Sequence, residues 1–565
     1  MQSQTAETHA NTAATHSGDD ASLQRKIDWT GAFWVASGVP ALALFNIGAV
    51  AATVGRPAWI VWIVSILMGF IQSFTYAEIA GLFPNKSGGA SVYGAVAWVR
   101  YSKLIAPVSV WANWFAWSPV IAIGCGLTAG FILSATFPAD AAINTWQITL
   151  LDLSFIKSEL CLRINATFLL GLVILLITFA IQHGGILRSA KTTMILGIAG
   201  MLPLTVISVI PIVTGDLPAA HFWPFLPIAH DAAGQVVDGK WDMAGFTVLM
   251  GGLFMAAWST YGFETAVCYT REFRDPKKDT FKAIFYSGLL CLFVFTFLPL
   301  AFQAYLGLGD LVTPPVLDAA GKVITPAVYG GMLAPDIYSG TGVGNVLAAI
   351  VHGGPLVSHV VIAMLVLALA LAIMTSMAGS SRTLYQASVD GWLPRYLGKV
   401  NQHGAPTAAM WTDMIFNLVL LLMSDYVFVL AASNVGYLIF NFLNLNSGWI
   451  HRIDRPDWAR PFRTPTWLLA LGGVFSFVNL SFMGFGADIW GPNTLLIGVG
   501  FCALIVPVFC YRHYIQDKGV FPQDMLEDMH LSDESATVNR AGILPYLTLA
   551  AGVTVVLVSY HFAVY

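Results

Sequence analysis

Stretches almost free of charge recur along this chain, several of them 18 or more residues long. Wound as helix, such a stretch crosses a hydrocarbon core of about 30 Å, so a chain built from them is a membrane bundle before it is anything else. Composition agrees. Hydrophobic residues make up 57% and charged ones 10% of the 565 residues, whereas a soluble globular protein carries about 25% charged residues. Thirteen candidate spans lie near 29–53, 58–83, 104–135, 166–183, 193–213, 244–268, 282–307, 355–389, 407–424, 426–447, 467–487, 493–512 and 541–563.

The basic residues orient the spans. With the N-terminus in the cytoplasm, the cytoplasmic segments hold 22 of the 27 Lys and Arg residues. The outer segments keep Arg56, Lys157, Arg163, Lys240 and Lys322. That is a strong positive-inside bias, to which every cytoplasmic loop contributes. The net charge of −4 adds nothing, because placement rather than sum sets topology. The first 24 residues are polar and low in complexity, without the basic, apolar and small-residue order of a cleavable signal. Five of the six cysteines fall in apolar segments and Cys161 sits alone in a loop, so no disulfide framework is implied.

The resulting layout is a disordered cytoplasmic tail over 1–27, a first group of five helices over 28–213 and a second over 244–447. Two further helices occupy 466–512, a polar linker 513–540, and an extra membrane helix 541–565. Two outer loops, 136–165 and 308–345, are long, and the Gly- and Pro-rich second one is expected to fold over the outer mouth. No repeat is visible at the sequence level, although inverted structural repeats often leave none.

Two spans carry interruptions. In "GAFWVASGVPALALFNIG", Ser37, Gly38 and Pro40 sit at mid-membrane. Proline lacks the amide proton that would continue the helical ladder, and its ring crowds the preceding turn. In "AAWSTYGFETAVCYTREFRDPKKDT", Ser259, Thr260, Tyr261 and Gly262 break the apolar run and Glu264 follows. Within hydrocarbon a helix unwinds only where it lines a cavity or is buried in protein. The two breaks fall in spans one and six, corresponding positions of two five-helix halves, which is the best sequence pointer to a midplane transporter site. Free N–H groups after the first break suit an anion, and freed carbonyls at the second suit a cation. A zwitterion satisfies both.

Four segments, in order, carry a family resemblance. "WSTYGFETAVCYTREFRDPKKDTFKAI" resembles the sixth helix and following loop of the amino acid–polyamine–organocation (APC) superfamily. "YAEIAGLFPNKSGGASVYGAVAW" is similar to its second helix and Pro–Gly-Gly–Tyr loop, and "SSRTLYQASVDGWLPRYLGKVNQHGAPTAA" to the end of its eighth helix. "RPDWARPFRTP" resembles the loop after its tenth. The resemblance implies an all-α polytopic fold: a leucine-transporter-like 5+5 inverted-repeat core with helices 1 and 6 broken, and two or three added C-terminal helices. It also implies a secondary-active permease, an antiporter or symporter working by alternating access, with an amino acid or related amine as substrate. Carried over, the contacts are Ala36, Ser37, Gly38 and Val39 through backbone groups to the carboxylate. Trp258, Ser259, Thr260, Tyr261 and Gly262 serve the ammonium and side chain, with Trp258 a gate candidate.

The sequence departs from the family pattern twice. Val39-Pro40 follow Ser37-Gly38 where glycines flank a small polar residue in most members, which resembles a subgroup handling choline and γ-aminobutyrate. Many prokaryotic members also place a lysine inside the fifth helix, where this chain has Gly200 or a neighbour; Lys191 lies too near the cytoplasmic end.

Several residues have two readings. Glu264 either braces the unwound segment or relays protons, and as an acid at membrane depth it must face the interior. Glu78 reads as a loop anchor. Thr375 and Ser376 in span eight offer hydroxyl oxygens to a sodium ion beside the first break, against the ordinary alternative of bonding back to their own helix. Arg382 and Asp390 read as ties between inner helix ends. No metal-ligand cluster, nucleophile elbow or phosphate loop is present, so neither an enzyme nor a cofactor is implied, and nothing points to nucleic acid. A channel would show charge rings or a filter motif. A membrane sensor for amino acids remains the alternative of a different class, since binding residues alone do not separate sensing from transport.

Overall fold

The computed structural model describes residues 23, 25–138, 140–231, 234–317, 323–528 and 540–565. Twelve of its helices are long and apolar enough to cross a membrane: Trp29–Val54, Ala58–Gly81, Ile105–Thr136, Ala166–His183, Ala190–Thr214, Met243–Glu272, Pro276–Leu306, Gly354–Val389, Tyr426–Asp454, Thr466–Trp490, Thr494–Gln516 and Leu544–Phe562. Thr407–Leu421, shorter and also apolar, stands ninth in order. Together they are spans one to thirteen, matching the thirteen segments read from the sequence. The protein is an all-α polytopic membrane protein. Strands occur among the described residues as short antiparallel pairs in the loops, such as Gln147–Asp152 with Cys161–Asn165.

Span three, Ile105–Thr136, has the expected extent, but its regular winding lapses at Ser118, between Ile105–Trp117 and Pro119–Thr136. Ser118 keeps helical dihedrals and its amide donates to Trp114 O at 2.8 Å, and Pro119, without an N–H, cannot continue the ladder. Two expectations need correction. The tail ends earlier than residue 27. The amides of Lys26 and Ile27 both donate to the carbonyl of Glu272, at 2.9 and 3.1 Å, and that of Arg274 returns a bond to Ile27 at 2.8 Å. Arg25 reaches Asn85 Oδ1 at 2.9 Å. Residues 25–27 are therefore clamped to the end of span six, whereas residues 1–22 and 24 lie outside the described residues. The segment from 513 is not wholly a linker either: Phe521 and Met525 are buried, and Gln523–Asp528 forms a helical turn. Residues 529–539 lie outside the described residues.

Of the two long loops, the second bears on the site. Its short helix Pro335–Tyr338 packs against the second half of span one, Ala43–Val54, and Ile337 is buried there. Span thirteen packs on span eleven at the bundle edge, with Val553 and Leu557 exposed to the surrounding medium. The side of the bundle that bears the N-terminal segment is called the basic end below.

Candidate functional site

Span one begins as α-helix at Trp29–Ala36, capped by Asp28, whose side chain accepts from the Gly31 amide at 3.0 Å. Regular winding stops at Ser37 and Gly38. A 3-10 turn over Val39–Leu42 follows before α-helix resumes at Ala43. Pro40 explains the change, since it cannot donate back along the ladder. One turn earlier, the carbonyl of Val35, whose α-helical donor would be the Val39 amide, is taken by the Thr375 hydroxyl of span eight at 2.6 Å. Ser37 turns its own hydroxyl back to Trp34 O at 2.6 Å. Every residue from Ala36 to Val39 is buried.

Span six is α-helix from Met243 to Thr260 and 3-10 helix from Gly262 to Glu272, with Tyr261 at the join. Eleven residues of 3-10 winding is long, because such runs seldom exceed three or four residues. The expectation was a brief unwound stretch; the structure shows a change of winding that lasts to the basic end. The half before it is held by side chains of other spans. Asn46 Nδ2 donates to Met255 O at 3.0 Å, and Asn434 Nδ2 donates to Phe254 O.

The two interruptions meet. A Cβ on Gly262 would stand 3.0 Å from Val39 Cγ1, 3.2 Å from Leu42 Cδ1 and 2.7 Å from the indole of Trp117. Gly262 is therefore the close approach between span six, the broken part of span one and the joint of span three. Trp258 lies beside them, fully buried, with its indole N–H donating to Ala116 O at 3.1 Å. Its ring sits 5.9 Å from that of Phe45 and 6.2 Å from that of Trp117. Trp117 in turn donates to Glu264 Oε1 at 3.0 Å, while Glu264 Oε2 is buried without a hydrogen-bond partner among the described residues.

The remaining expected residues fall as follows. Gly38 faces span eight: a Cβ there would stand 2.6 Å from both Leu371 O and Thr375 Oγ1. Ser376 is buried one residue on. Gly200 packs against Ala368, also of span eight, and it is Gly197 that stands beside Ser37, 3.0 Å from its Oγ to a Cβ built there. Ser259 bonds back to Ala256 O at 3.1 Å. Tyr261 keeps its backbone at the join but sends its ring toward Tyr437 of span ten, 6.2 Å away, and its hydroxyl to Asn479 of span eleven at 2.9 Å. Glu78 stands apart, at the basic end, bonded to Arg452 at 2.6 Å, Arg460 at 3.2 Å and the Thr464 amide at 2.7 Å. Nearby, Arg382 pairs with Glu272 at 2.5 Å and Lys86 with Asp390 at 2.6 Å, all four buried.

Sequence reading missed Trp117, Phe45 and the amides of spans two, ten and eleven. One signal was legible: Trp117-Ser118-Pro119 interrupts span three much as Ser37-Gly38-Pro40 interrupts span one.

Two broken helices that meet in a buried centre are what the resemblance carried by the four motif segments leads one to expect. The model of one protein family, described as amino acid permease, matches residues 27–506. The chain belongs to that family. It is an APC-superfamily amino acid permease, an integral membrane transporter whose substrate is a small amino acid-like molecule. Among curated proteins it is similar to the branched-chain amino acid permease BcaP of Lactococcus lactis subsp. cremoris. The two are 22% identical over 463 residues, covering 80% of this chain and 86% of the relative. It is also similar to the uncharacterized transporter lpg1691 of Legionella pneumophila, 23% identical over 382 residues, covering 65% and 66% of the two chains.

Proposed function

We propose that this permease carries a neutral amino acid with an apolar side chain by alternating access, across a membrane whose cytoplasmic side holds the basic end. The observation that carries the reading is the contact of Gly262 with Val39 and Leu42 inside the buried centre. It supports a reading in which the amides that follow the first break and the carbonyls before the change of winding in span six serve one small ligand. The α-carboxylate is received by backbone N–H groups of residues 36–39, and the ammonium by carbonyls of residues 258–261. Peptide dipoles at helix ends supply this without burying an opposite charge.

The side chains around the meeting point are Val39, Leu42, Phe45, Trp117 and Trp258, which favour an apolar substrate side chain. Glu264, the nearest acid, is engaged by Trp117, and its role in this reading is to brace the join. The name of the Lactococcus relative, which specifies branched-chain amino acids, agrees with that preference. The Thr375 hydroxyl donates to the Val35 carbonyl, and in this reading it ties span eight to the end of the first helical piece of span one. The preponderance of Lys and Arg in alternate loops supports a cytoplasmic N-terminus.

Uptake into proteoliposomes tests this. Radiolabelled leucine, isoleucine and valine are compared with arginine, glutamate, γ-aminobutyrate and choline, with and without a proton or sodium gradient. Saturable uptake of the aliphatic amino acids supports the reading. Uptake of choline or γ-aminobutyrate alone replaces the substrate class. Binding without flux makes the protein a sensor.

A further inference from the structure

On the flank of span six that faces spans two, ten and eleven, a chain of buried side-chain amides ends at the site. Tyr261 donates its hydroxyl proton to Asn479 Oδ1 at 2.9 Å. Asn479 Nδ2 donates to Asn441 Oδ1 at 2.8 Å. Asn441 Nδ2 donates to Gln72 Oε1 at 2.9 Å and to Tyr76 OH at 2.7 Å. The residue before Tyr261 is tied as well: Thr260 Oγ1 and Ser65 Oγ of span two share a hydrogen bond of 2.6 Å. All of these side chains are buried to 1% exposure or less.

Such a chain is expensive to place at membrane depth. Each amide must be desolvated, and a missing partner leaves a buried polar group unpaired. Phenylalanine at 261 and leucine at 479 would fill the same space with no polar group to satisfy. What the polar pair adds is register. Thr260 ends the α-helical half of span six and Tyr261 is the join, so the two pins sit on the residues whose carbonyls the proposed site uses. Neighbouring residues of a helix point about 100° apart. A turn of span six by one residue would break both pins at once.

We propose that Asn479, on span eleven and outside the two five-helix groups, is a positioning residue for substrate recognition. Through the Tyr261 hydroxyl it holds the change of winding in span six at the register the substrate amino group requires. Asn441 and Gln72 hold Asn479 in turn. The proposal rests on the reading of residues 258–261 as the ammonium site.

The test is a double-mutant cycle on the full-length protein in proteoliposomes, with leucine uptake kinetics and thermal stability measured for each variant. The variants are Tyr261→Phe, Asn479→Leu and both together. Each single change is expected to raise KM about five- to tenfold, the worth of one hydrogen bond to a positioned group, with maximal rate within about twofold. The double variant should be no worse than the poorer single, because both remove the same contact. An unchanged KM in Tyr261→Phe, or effects that multiply in the double variant, overturns the proposal. Should Asn479→Leu not accumulate as folded protein, Tyr261→Phe alone decides, since it removes only a hydroxyl. Wild-type uptake is read first. Absence of saturable leucine uptake there brings down the functional reading together with this inference, whereas normal wild-type uptake with an unmoved KM brings down the inference alone.

Discussion

Gly262 and Gly38 look alike in the sequence, each a glycine at an interruption, but their surroundings separate them. A side chain on Gly262 collides with the tips of Val39, Leu42 and the Trp117 indole, all in the proposed site. A side chain on Gly38 collides with the backbone of span eight at Leu371 and Ala372. Gly262→Val is therefore expected to insert and fold normally yet to lose the thermal stabilisation that saturating leucine gives the wild type. Gly38→Val should lower the melting temperature in the absence of substrate as well. Thr375 yields a second residue-scale prediction. Thr375→Val strands the buried Val35 carbonyl, at a cost of about 1–3 kcal/mol in stability. Thermal or denaturant unfolding of the variant beside the wild type measures that cost. Unchanged stability would show that the Thr375 hydroxyl is not what satisfies that carbonyl.

At the scale of elements, span six explains both why the sequence was informative and where it ran out. Ser259 to Gly262 marked the join correctly, because hydroxyls that bond back to the chain and a residue without a Cβ both weaken α-winding. The long 3-10 continuation was not legible. It depends on tertiary contacts, including the Trp117 bond to Glu264 and the pairing of the Glu272 carbonyl with Lys26 and Ile27. The joint in span three could have been read from Ser118-Pro119. The direction of the Tyr261 side chain could not, because it follows from Asn479, 218 residues away. Glu264→Gln retains an acceptor for Trp117, so it is expected to keep leucine affinity within about tenfold of wild type by thermal-shift titration. Trp117→Phe removes the donor and leaves the acid buried with one partner fewer, so it should be the more damaging change in the same titration.

The whole molecule is closed at its basic end by buried ion pairs. Arg382 holds Glu272 through two nitrogens at 2.5 and 3.0 Å, tying the end of span six to span eight. Lys86 ties the segment after span two to Asp390 at the end of span eight. Removing one member of such a pair leaves an uncompensated charge, which costs about 3–5 kcal/mol. Arg382→Met should accordingly unfold at markedly lower temperature than wild type, and Arg382→Met with Glu272→Gln should recover much of the loss. Equal melting temperatures for the single and double variants would show that the pair carries no coupling. At this scale the bundle itself was plain in the sequence from its apolar runs, whereas the docking of residues 25–27 and of Phe521 was hidden, because short polar segments carry no period. The account as a whole rests on backbone groups at two touching interruptions receiving both ends of one small zwitterion. An experimental structure of the protein with leucine bound measures this most directly. The account predicts the carboxylate within hydrogen-bond distance of amides among residues 36–39 and the ammonium against carbonyls among residues 258–261. Leucine held elsewhere, or by charged side chains instead of these peptide groups, would contradict it.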